Sequence, residues 1–217
     1  MICGIDEAGR GPVMGPMVVA GVWIKREDEK KLIKMGIRDS KKLSPKKREE
    51  LASYIKKNFP SEVVTVEAQH IDDLRKAMTM NELEAYIFAN VANKRHATVY
   101  YIDAASNNEE DFKKIIMNHI RHDCEIICEH GADEKYAVVS AASIIAKVER
   151  DKCINKIAKE LESKLSLPLG SGYPSDEKTI TFIKEWIKKF GSLPPYIRKS
   201  WKTVRKIENE LKQGKLF

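Results

Sequence analysis

The sequence predicts an α/β protein whose mixed sheet forms in the first part of the chain, followed by a helical last part. Two apolar segments, residues 1–7 and 17–24, flank a turn rich in glycine and proline, which is typical of a hairpin. The segments ATVYYIDA at 97–104 and CEIICE at 124–129 are separated by a helical stretch. Such a strand–helix–strand crossover joins parallel neighbours. From about residue 150 onward the pattern is helical, so we expect the sheet to lie before it.

The remaining elements follow from helix-start residues and from the spacing of apolar side chains. Ser44 before Pro45 is an N-cap followed by proline in the first turn, which is typical of a helix start. The segment EVVTVEA at 62–68 alternates and predicts a third strand. Charged or periodic apolar stretches predict helices over roughly 27–35, 79–94, 109–121, 136–163 and 176–190, with a final charged helix.

Composition narrows the class of protein. The 217 residues can bury one substantial core, and 42% hydrophobic with 33% charged residues is typical of a globular chain. The net charge of +7 favours a polyanionic partner, although many ordinary proteins are also basic. No apolar run reaches the roughly 18–20 residues of a membrane span. Because Met1 leads straight into a motif, we expect no signal peptide and a cytoplasmic protein.

Cysteine and histidine spacing leaves one alternative metal site open. The four cysteines are irregularly spaced, so we expect free thiols, with Cys3 and Cys128 buried. His119, His122, Cys124, Cys128 and His130 have the residue types of a zinc site. They cross from a helix end into a strand, so we expect these side chains to scatter.

The segment GIDEAGRGPVMGP at 4–16 combines acids with a glycine turn. Asp6 and Glu7 are adjacent carboxylates, and hard divalent cations take carboxylate oxygens. Gly9, Arg10 and Gly11 follow, and glycines beside an arginine let the main chain approach a phosphate or sugar closely. Together these residues indicate a site that holds a nucleic-acid strand against metal ions.

Two more acids come to the same sheet edge by topology. Asp103 ends one strand of the crossover and Asp133 follows the other, and sites form at the carboxyl ends of such strands. Each acid alone could be a cap or a solvated loop residue, but three segments supplying one edge favour a metal site. Neighbours on a strand point to opposite faces, so Asp6 is the stronger ligand. Glu7 could bind the metal by its side chain only if the strand is distorted there; otherwise it would contribute through its backbone carbonyl or through a water.

Long motifs resemble those of the type 2 ribonucleases H (ribonuclease HII), and the archaeal members more than the bacterial ones. The match covers nearly the whole chain and includes GIDEAGRGPVMGP, DSKKLSPKKRE at 39–49, YIDA at 101–104, ADEKYAVVSAASIIAKVERD at 132–151, GSGYPSD at 170–176 and SWKT at 200–203. The resemblance implies a ribonuclease H-like five-stranded mixed sheet flanked by helices, with a small helical C-terminal domain. We place the catalytic domain at 1–165 and the substrate-binding region at 166–217.

The resemblance also implies an activity. We expect an endoribonuclease that cuts the RNA strand of RNA/DNA hybrids and nicks at ribonucleotides in duplex DNA. The cofactors would be two divalent ions, Mg²⁺ or Mn²⁺, and the cut would leave a 3′-hydroxyl and a 5′-phosphate. The implied catalytic and metal-binding residues are Asp6, Glu7, Asp103 and Asp133.

The implied substrate-binding residues fall into three groups. The main chain of Gly9, Arg10 and Gly11 senses the ribose 2′-hydroxyl, and Tyr173 packs on the sugar beside the scissile junction. The residues that match phosphate holders are Ser40, Lys41, Ser140, Ser143 and Lys147. As alternatives, the lysines could be ordinary solvated side chains, the serines could permit close helix packing, and Tyr173 could simply pack.

Rival functions and partners remain open at this point. A non-catalytic nucleic-acid-binding module on this fold should lack an acid, and a resolvase or integrase should lack the glycine-arginine-glycine loop. Ribonuclease HIII carries an N-terminal extension, which disfavours it. The tail at 213–217 resembles the opening of a sliding-clamp-binding motif, with a frayed helix end as the alternative. We expect a monomer.

Overall fold

The computed structural model describes residues 1–37, 43–106 and 108–213, the side chains of residues 212 and 213 excepted. Ser40 and Lys41 therefore lie outside the described residues. The strands are β1 (Ile2–Ala8), β2 (Met17–Ile24), β3 (Ser61–Val66), β4 (Val99–Asp103) and β5 (Glu125–Glu129). The helices are α1 (Glu29–Lys34), α2 (Pro45–Asn58), α3 (Ala68–Leu74), α4 (Met80–Ala92), α5 (Glu109–His119), α6 (Ala132–Lys135), α7 (Ala137–Leu165), α8 (Glu177–Phe190) and α9 (Lys202–Gln213).

Within the described ranges the five strands form one mixed sheet in the order β3-β2-β1-β4-β5. β2 is antiparallel to β1, and β4 is parallel to both β1 and β5. The predicted hairpin, the predicted crossover and the predicted five-stranded mixed sheet are therefore confirmed. The sheet places the carboxyl ends of β1, β4 and β5 at one edge, because these three neighbours are parallel.

Helix starts agree with the sequence, and one strand end does not. The Ser44 hydroxyl accepts a hydrogen bond from the Lys47 amide at 3.3 Å, so the predicted cap of α2 is confirmed. The predicted strand over 62–68 ran too far, because β3 ends at Val66 and α3 begins at Ala68. Ala68 and Ile71 are both buried, and their spacing of three residues suits a helix rather than a strand.

The long helix α7 packs closely against β1. A Cβ atom on Gly4 would lie 2.3 Å from the carbonyl oxygen of Val138, so only glycine fits at this position of the strand. This close approach brings the first half of α7 beside the residues of β1. Ser143 and Lys147, one turn apart on α7, are thereby carried towards Asp6.

The chain divides into two compact units. The sheet unit comprises Met1–Ala8, Val18–Thr65 and Met78–Glu149, and the loop unit comprises Gly9–Met17, Val66–Ala77 and the residues from Arg150 on. Buried side chains of the sheet unit include Ile24, Leu51 and Ile144. Those of the loop unit include Met14 and Phe182. These units do not test where a functional domain ends, so the boundary between residues 165 and 166 stays a prediction.

None of the helices in the described ranges combines the length and the apolar character needed to cross a membrane.

Candidate active site

Three carboxylates converge at the edge of the sheet. Asp6 lies on β1, Asp103 ends β4 and Asp133 lies on α6, and one oxygen from each falls within 4.8 Å of the others. The register explains the first pair, since Ile5 pairs with Ile102 and the next residue of each strand is an aspartate. The structure thus brings together three of the four predicted acids.

A turn after β5 delivers Asp133. Gly131 has φ of 67° in the left-handed region, which glycine adopts without steric cost, and α6 begins directly after it. The amide of Ala132 donates a hydrogen bond of 3.0 Å to a carboxylate oxygen of Asp103. Asp103 therefore orders the start of α6, and that places Asp133 beside it.

The acids are costly to hold together in the absence of a cation. Asp6 and Asp133 are each only 4% exposed. Burial is the main cause that raises the pKa of Asp6 well above its usual value, and the charges of Glu7 and Asp103 raise it further. A hydrogen bond from Ser143 and the charge of Lys147 act in the opposite direction. A divalent cation would remove this repulsion, and its preferred ligands are carboxylate oxygens.

Glu7 is placed differently from the other acids. Its amide donates to a carboxylate oxygen of Asp6 at 2.8 Å, and its half-buried side chain is not among the three that converge. Its charge still raises the pKa of Asp6. A direct metal bond from the Glu7 side chain stays a prediction. The alternation of side chains along a strand made Glu7 the weaker candidate from the start.

The polar residues of α7 divide into two kinds. Ser143 is a fully buried hydrogen-bond partner of Asp6, and the ammonium of Lys147 donates to the Ser143 hydroxyl at 2.7 Å. Ser140 is also fully buried, but its hydroxyl donates to the carbonyl of Ile37 at 2.5 Å. This contact favours the packing alternative for Ser140, and a contact of Ser140 with phosphate stays a prediction.

The zinc alternative has no support among the described residues. The cluster of Asp6, Asp103 and Asp133 is the group of potential metal ligands found there. The histidines of 119–130 scatter as expected: the ring of His119 contacts Tyr86, His122 hydrogen-bonds the Tyr100 hydroxyl, and His130 hydrogen-bonds the Ala104 carbonyl.

The glycine-arginine-glycine segment belongs to the loop unit, where little space surrounds its first residue. Gly9 has φ of 93°, and a Cβ atom on it would lie 2.5 Å from Nε of Arg150. Both the backbone conformation and the space therefore require glycine here. A Cβ on Gly11 would be 3.9 Å from the ring of Tyr173, so Tyr173 lies beside this segment.

Tyr173 is held in place although it is partly open to solvent. The residue is 37% exposed, and the guanidinium of Arg150 lies 5.0 Å from the centroid of its ring. The preceding Gly172 accepts hydrogen bonds from the amides of Val13 and Met14 at 2.8 and 3.2 Å. The turn that carries Tyr173 is thus bonded directly to the segment that follows Gly11.

Arg198 is a residue of this region that the sequence analysis missed. It is fully buried, and its guanidinium donates to the carbonyls of Gly9, Arg10 and Gly15 at 2.6, 2.9 and 3.0 Å. Burial, followed by the charge of Arg150, lowers the pKa of Arg198. The sequence offered only a weak signal, namely that Arg198 stands two positions before the SWKT motif.

Comparison with known proteins agrees with this geometry. The family model described as Ribonuclease HII matches residues 3–204. A protein of Methanospirillum hungatei named Ribonuclease HII is 44% identical over 100% of this chain and 99% of its own length. One of Thermococcus sibiricus with the same name is 46% identical over 98% and 93%.

Solved structures of relatives superpose over nearly the full length. The ribonuclease H2 from Pyrococcus horikoshii gives a TM-score of 0.89 at 38% identity, covering 98% of this chain and 99% of its own. The PCNA:RNase HII complex from Archaeoglobus fulgidus contains a chain that gives 0.82 at 41% identity, with 95% and 96% covered. A Bst-RNase HIII structure, with a TM-score of 0.77 at 20% identity, shares the fold. The chain therefore belongs to the ribonuclease HII family, the metal-dependent endonucleases that its motifs predicted.

Proposed function

We propose that Asp6, Asp103 and Asp133 hold two divalent ions with which this ribonuclease H hydrolyses the RNA strand of RNA/DNA hybrids and nicks at ribonucleotides in duplex DNA. The observation that carries the proposal is the convergence of three carboxylates within 4.8 Å, two of them almost fully buried. Acids packed in this way repel one another unless a cation is present. When bound, divalent ions supply the positive charge that activates a water and stabilises the leaving oxygen of a phosphodiester.

Each protein residue has a separate part in this proposal. Asp6, Asp103 and Asp133 would hold the ions, and the charges of Glu7 and Asp103 next to Asp6 make it the acid that gains most from a bound cation. Ser143 and Lys147 would hold the Asp6 carboxylate in one orientation, since they form a hydrogen-bonded chain to it. Their predicted contact with phosphate stays a prediction. In-line attack would leave a 3′-hydroxyl and a 5′-phosphate.

The loop unit would supply recognition of the ribose. The main chain of Gly9, Arg10 and Gly11 can approach a ligand closely, and the exposed ring of Tyr173 lies beside Gly11. A ribose 2′-hydroxyl both donates and accepts hydrogen bonds, which lets main-chain groups distinguish RNA from DNA. An aromatic ring packs on a sugar without regard to base sequence. These properties suit a nuclease that selects ribonucleotides rather than a sequence.

Cleavage of a DNA duplex that contains one ribonucleotide tests the proposal. We expect Asp6→Asn, which keeps the size but removes the charge, to cut at least about a thousandfold more slowly than the wild type with Mg²⁺ or Mn²⁺. Asp111→Asn is the matched control, because Asp111 is an exposed acid on α5 outside the cluster. Undiminished cutting by Asp6→Asn would rule out the proposed mechanism.

The choice of ion is a finer proposal. We propose Mg²⁺ or Mn²⁺, because the three described ligands are all carboxylates and sulfur and imidazole are absent from the described cluster. Rates measured with each ion over a range of concentrations would decide. Activity with Zn²⁺ alone would contradict the assignment.

We also propose a contact with a sliding clamp. The related Archaeoglobus protein has been solved in a PCNA complex, and residues 213–217 of this chain end in an aromatic residue, as part of such a motif would. Residues 214–217 lie outside the described residues. Binding to the clamp by the full chain and by a chain shortened after Lys212 tests the proposal, and equal binding would contradict it.

Two further expectations are retained as proposals, namely a monomer and a cytoplasmic location. The four cysteines, all within the described residues, form no disulfide, which suits a reducing compartment. Sedimentation of the purified chain would test the monomer.

A further inference from the structure

Three successive main-chain carbonyls of the loop are held by two side chains from near the end of the chain. Arg198 donates to the carbonyls of Gly9 and Arg10, and the indole nitrogen of Trp201 donates to the carbonyl of Gly11 at 3.2 Å. The Arg198 guanidinium also lies 4.8 Å from the ring of Trp201, so the two side chains support each other. Arg198 and Trp201 thus contact every peptide group of the segment that the resemblance connects with the ribose.

Because peptide groups are planar, these contacts also determine the direction in which the amide N–H groups of the loop point. In a trans peptide the C=O and the following N–H lie in one plane and point in opposite directions. Fixing the carbonyl of Gly9 therefore directs the amide of Arg10 to the opposite side, and fixing the carbonyl of Arg10 does the same for the amide of Gly11. The carbonyl of Gly11 is followed by Pro12, which has no amide hydrogen.

The segment that carries Arg198 and Trp201 is itself anchored. Asp72 on α3 accepts hydrogen bonds from the amides of Lys199 and Ser200 at 2.7 and 3.0 Å, and from the Ser200 hydroxyl at 2.6 Å. The amide of Arg198 donates to the carbonyl of Val13 at 2.8 Å. The backbone of Arg198 and of the two residues after it is thus fixed, so Arg198 can impose a position on the loop.

We propose that Arg198 is a positioning residue that aims the amides of Arg10 and Gly11 at a ribose 2′-hydroxyl, and that Trp201 supports it by fixing the next carbonyl of the loop and by packing beside the guanidinium. The proposal rests on the proposed function of the loop and deepens it, since it names the groups that create the preference for ribose over deoxyribose. Neither side chain needs to touch the substrate. Their contribution is a preset loop, which spares the complex the entropy of ordering three glycine-rich residues.

Binding in the absence of metal separates this role from catalysis. The affinities of two duplexes are measured in EDTA: one all-DNA, the other identical except for a single ribonucleotide. We expect the wild type to prefer the ribonucleotide duplex, and Arg198→Met to lose about tenfold of that preference. Affinity for the all-DNA duplex should change by less than about twofold, because phosphate contacts dominate it.

Two more variants refine the measurement. Arg198→Lys retains the charge but cannot reach three carbonyls at once, so we expect it to restore part of the preference. Trp201→Phe retains the ring beside Arg198 and removes only the donor to Gly11, so a smaller loss is expected. If thermal unfolding shows that Arg198→Met does not fold, the preference measured for Trp201→Phe tests the positioning role instead. Arg205→Met, an exposed arginine on α9, is the control that should keep the preference.

The outcomes are distinct from one another. Loss of preference with retained DNA affinity supports the positioning role. A retained preference in both Arg198→Met and Trp201→Phe overturns it, and so does an equal loss of affinity for both duplexes, which indicates general destabilisation. A wild type without any preference would instead contradict the proposed recognition function of the loop.

Discussion

The acidic cluster of the sheet unit and the glycine-arginine-glycine loop of the loop unit are built on opposite electrostatic principles. The cluster gathers side-chain carboxylates, and burial together with the neighbouring charges raises the pKa of Asp6. In the loop the groups are main-chain carbonyls, and the buried cation Arg198 is bonded to three of them. The cluster is therefore strained until a cation binds, whereas the loop already contains its cation.

This difference predicts opposite consequences of substitution. Neutralising an acid of the cluster should remove activity and spare or increase the stability of the metal-free protein. Removing the cation of the loop should reduce stability as well, because buried carbonyls lose their donors. Substitutions in the cluster should therefore lower activity without lowering stability, whereas substitutions of the loop's cation should lower both.

The largest effect is expected from the two remaining acids of the cluster. Asp103→Asn and Asp133→Asn should each reduce cleavage of an RNA/DNA hybrid by about a thousandfold, since each removes a carboxylate from the metal ligands. Steady-state rates with saturating Mg²⁺ measure this effect. Rates near that of the wild type for either variant would exclude that residue from the site.

The second effect concerns the stability of the loop unit. Arg198→Met should lower the free energy of unfolding by about 3 kcal/mol, because it leaves three carbonyls without their charged donor. Denaturant unfolding measures the change, and Arg205→Met should stay within about 0.5 kcal/mol of the wild type. Equal stability of the two variants would show that the guanidinium contacts contribute little.

A smaller effect is expected at Tyr173. Tyr173→Ala should reduce nicking at a single ribonucleotide by about tenfold, because the variant lacks the ring that would pack on the sugar. Tyr173→Phe should act like the wild type, because the ring and its contact with Arg150 remain. If the two substitutions were equally harmful, the hydroxyl rather than the ring would be the important group.

The smallest effect is the pH dependence of the metal-free protein. The folded pKa of Asp6 is raised, so the folded state binds more protons than the unfolded state between the ordinary pKa and the raised one. Stability in EDTA should therefore increase as the pH falls through the raised pKa. In Asp6→Asn this contribution should be absent. If the stability of the wild type and of the variant changed in parallel with pH, the raised pKa of Asp6 would be contradicted.

The sequence predicted which side chains form the acidic cluster better than it predicted which side chains bond to the main chain of the loop. Asp103 and Asp133 could be paired in advance, because a crossover fixes which strand ends are neighbours. Arg198 could not, because its role depends on carbonyls up to 189 positions earlier in the chain, and any residue type offers a carbonyl. The role of Ser140 stays open for a related reason, since helical spacing does not say whether a small polar residue faces a ligand or packs within the protein.

Thermal unfolding of the wild type and of Asp6→Asn, each with EDTA and with Mn²⁺, tests the central claim most directly. A bound ion stabilises only a protein that has its site. We predict that Asp6→Asn is at least as stable as the wild type in EDTA, and that Mn²⁺ raises the melting temperature of the wild type alone. Equal stabilisation of both proteins by Mn²⁺ would contradict the claim that the acidic cluster is the metal site.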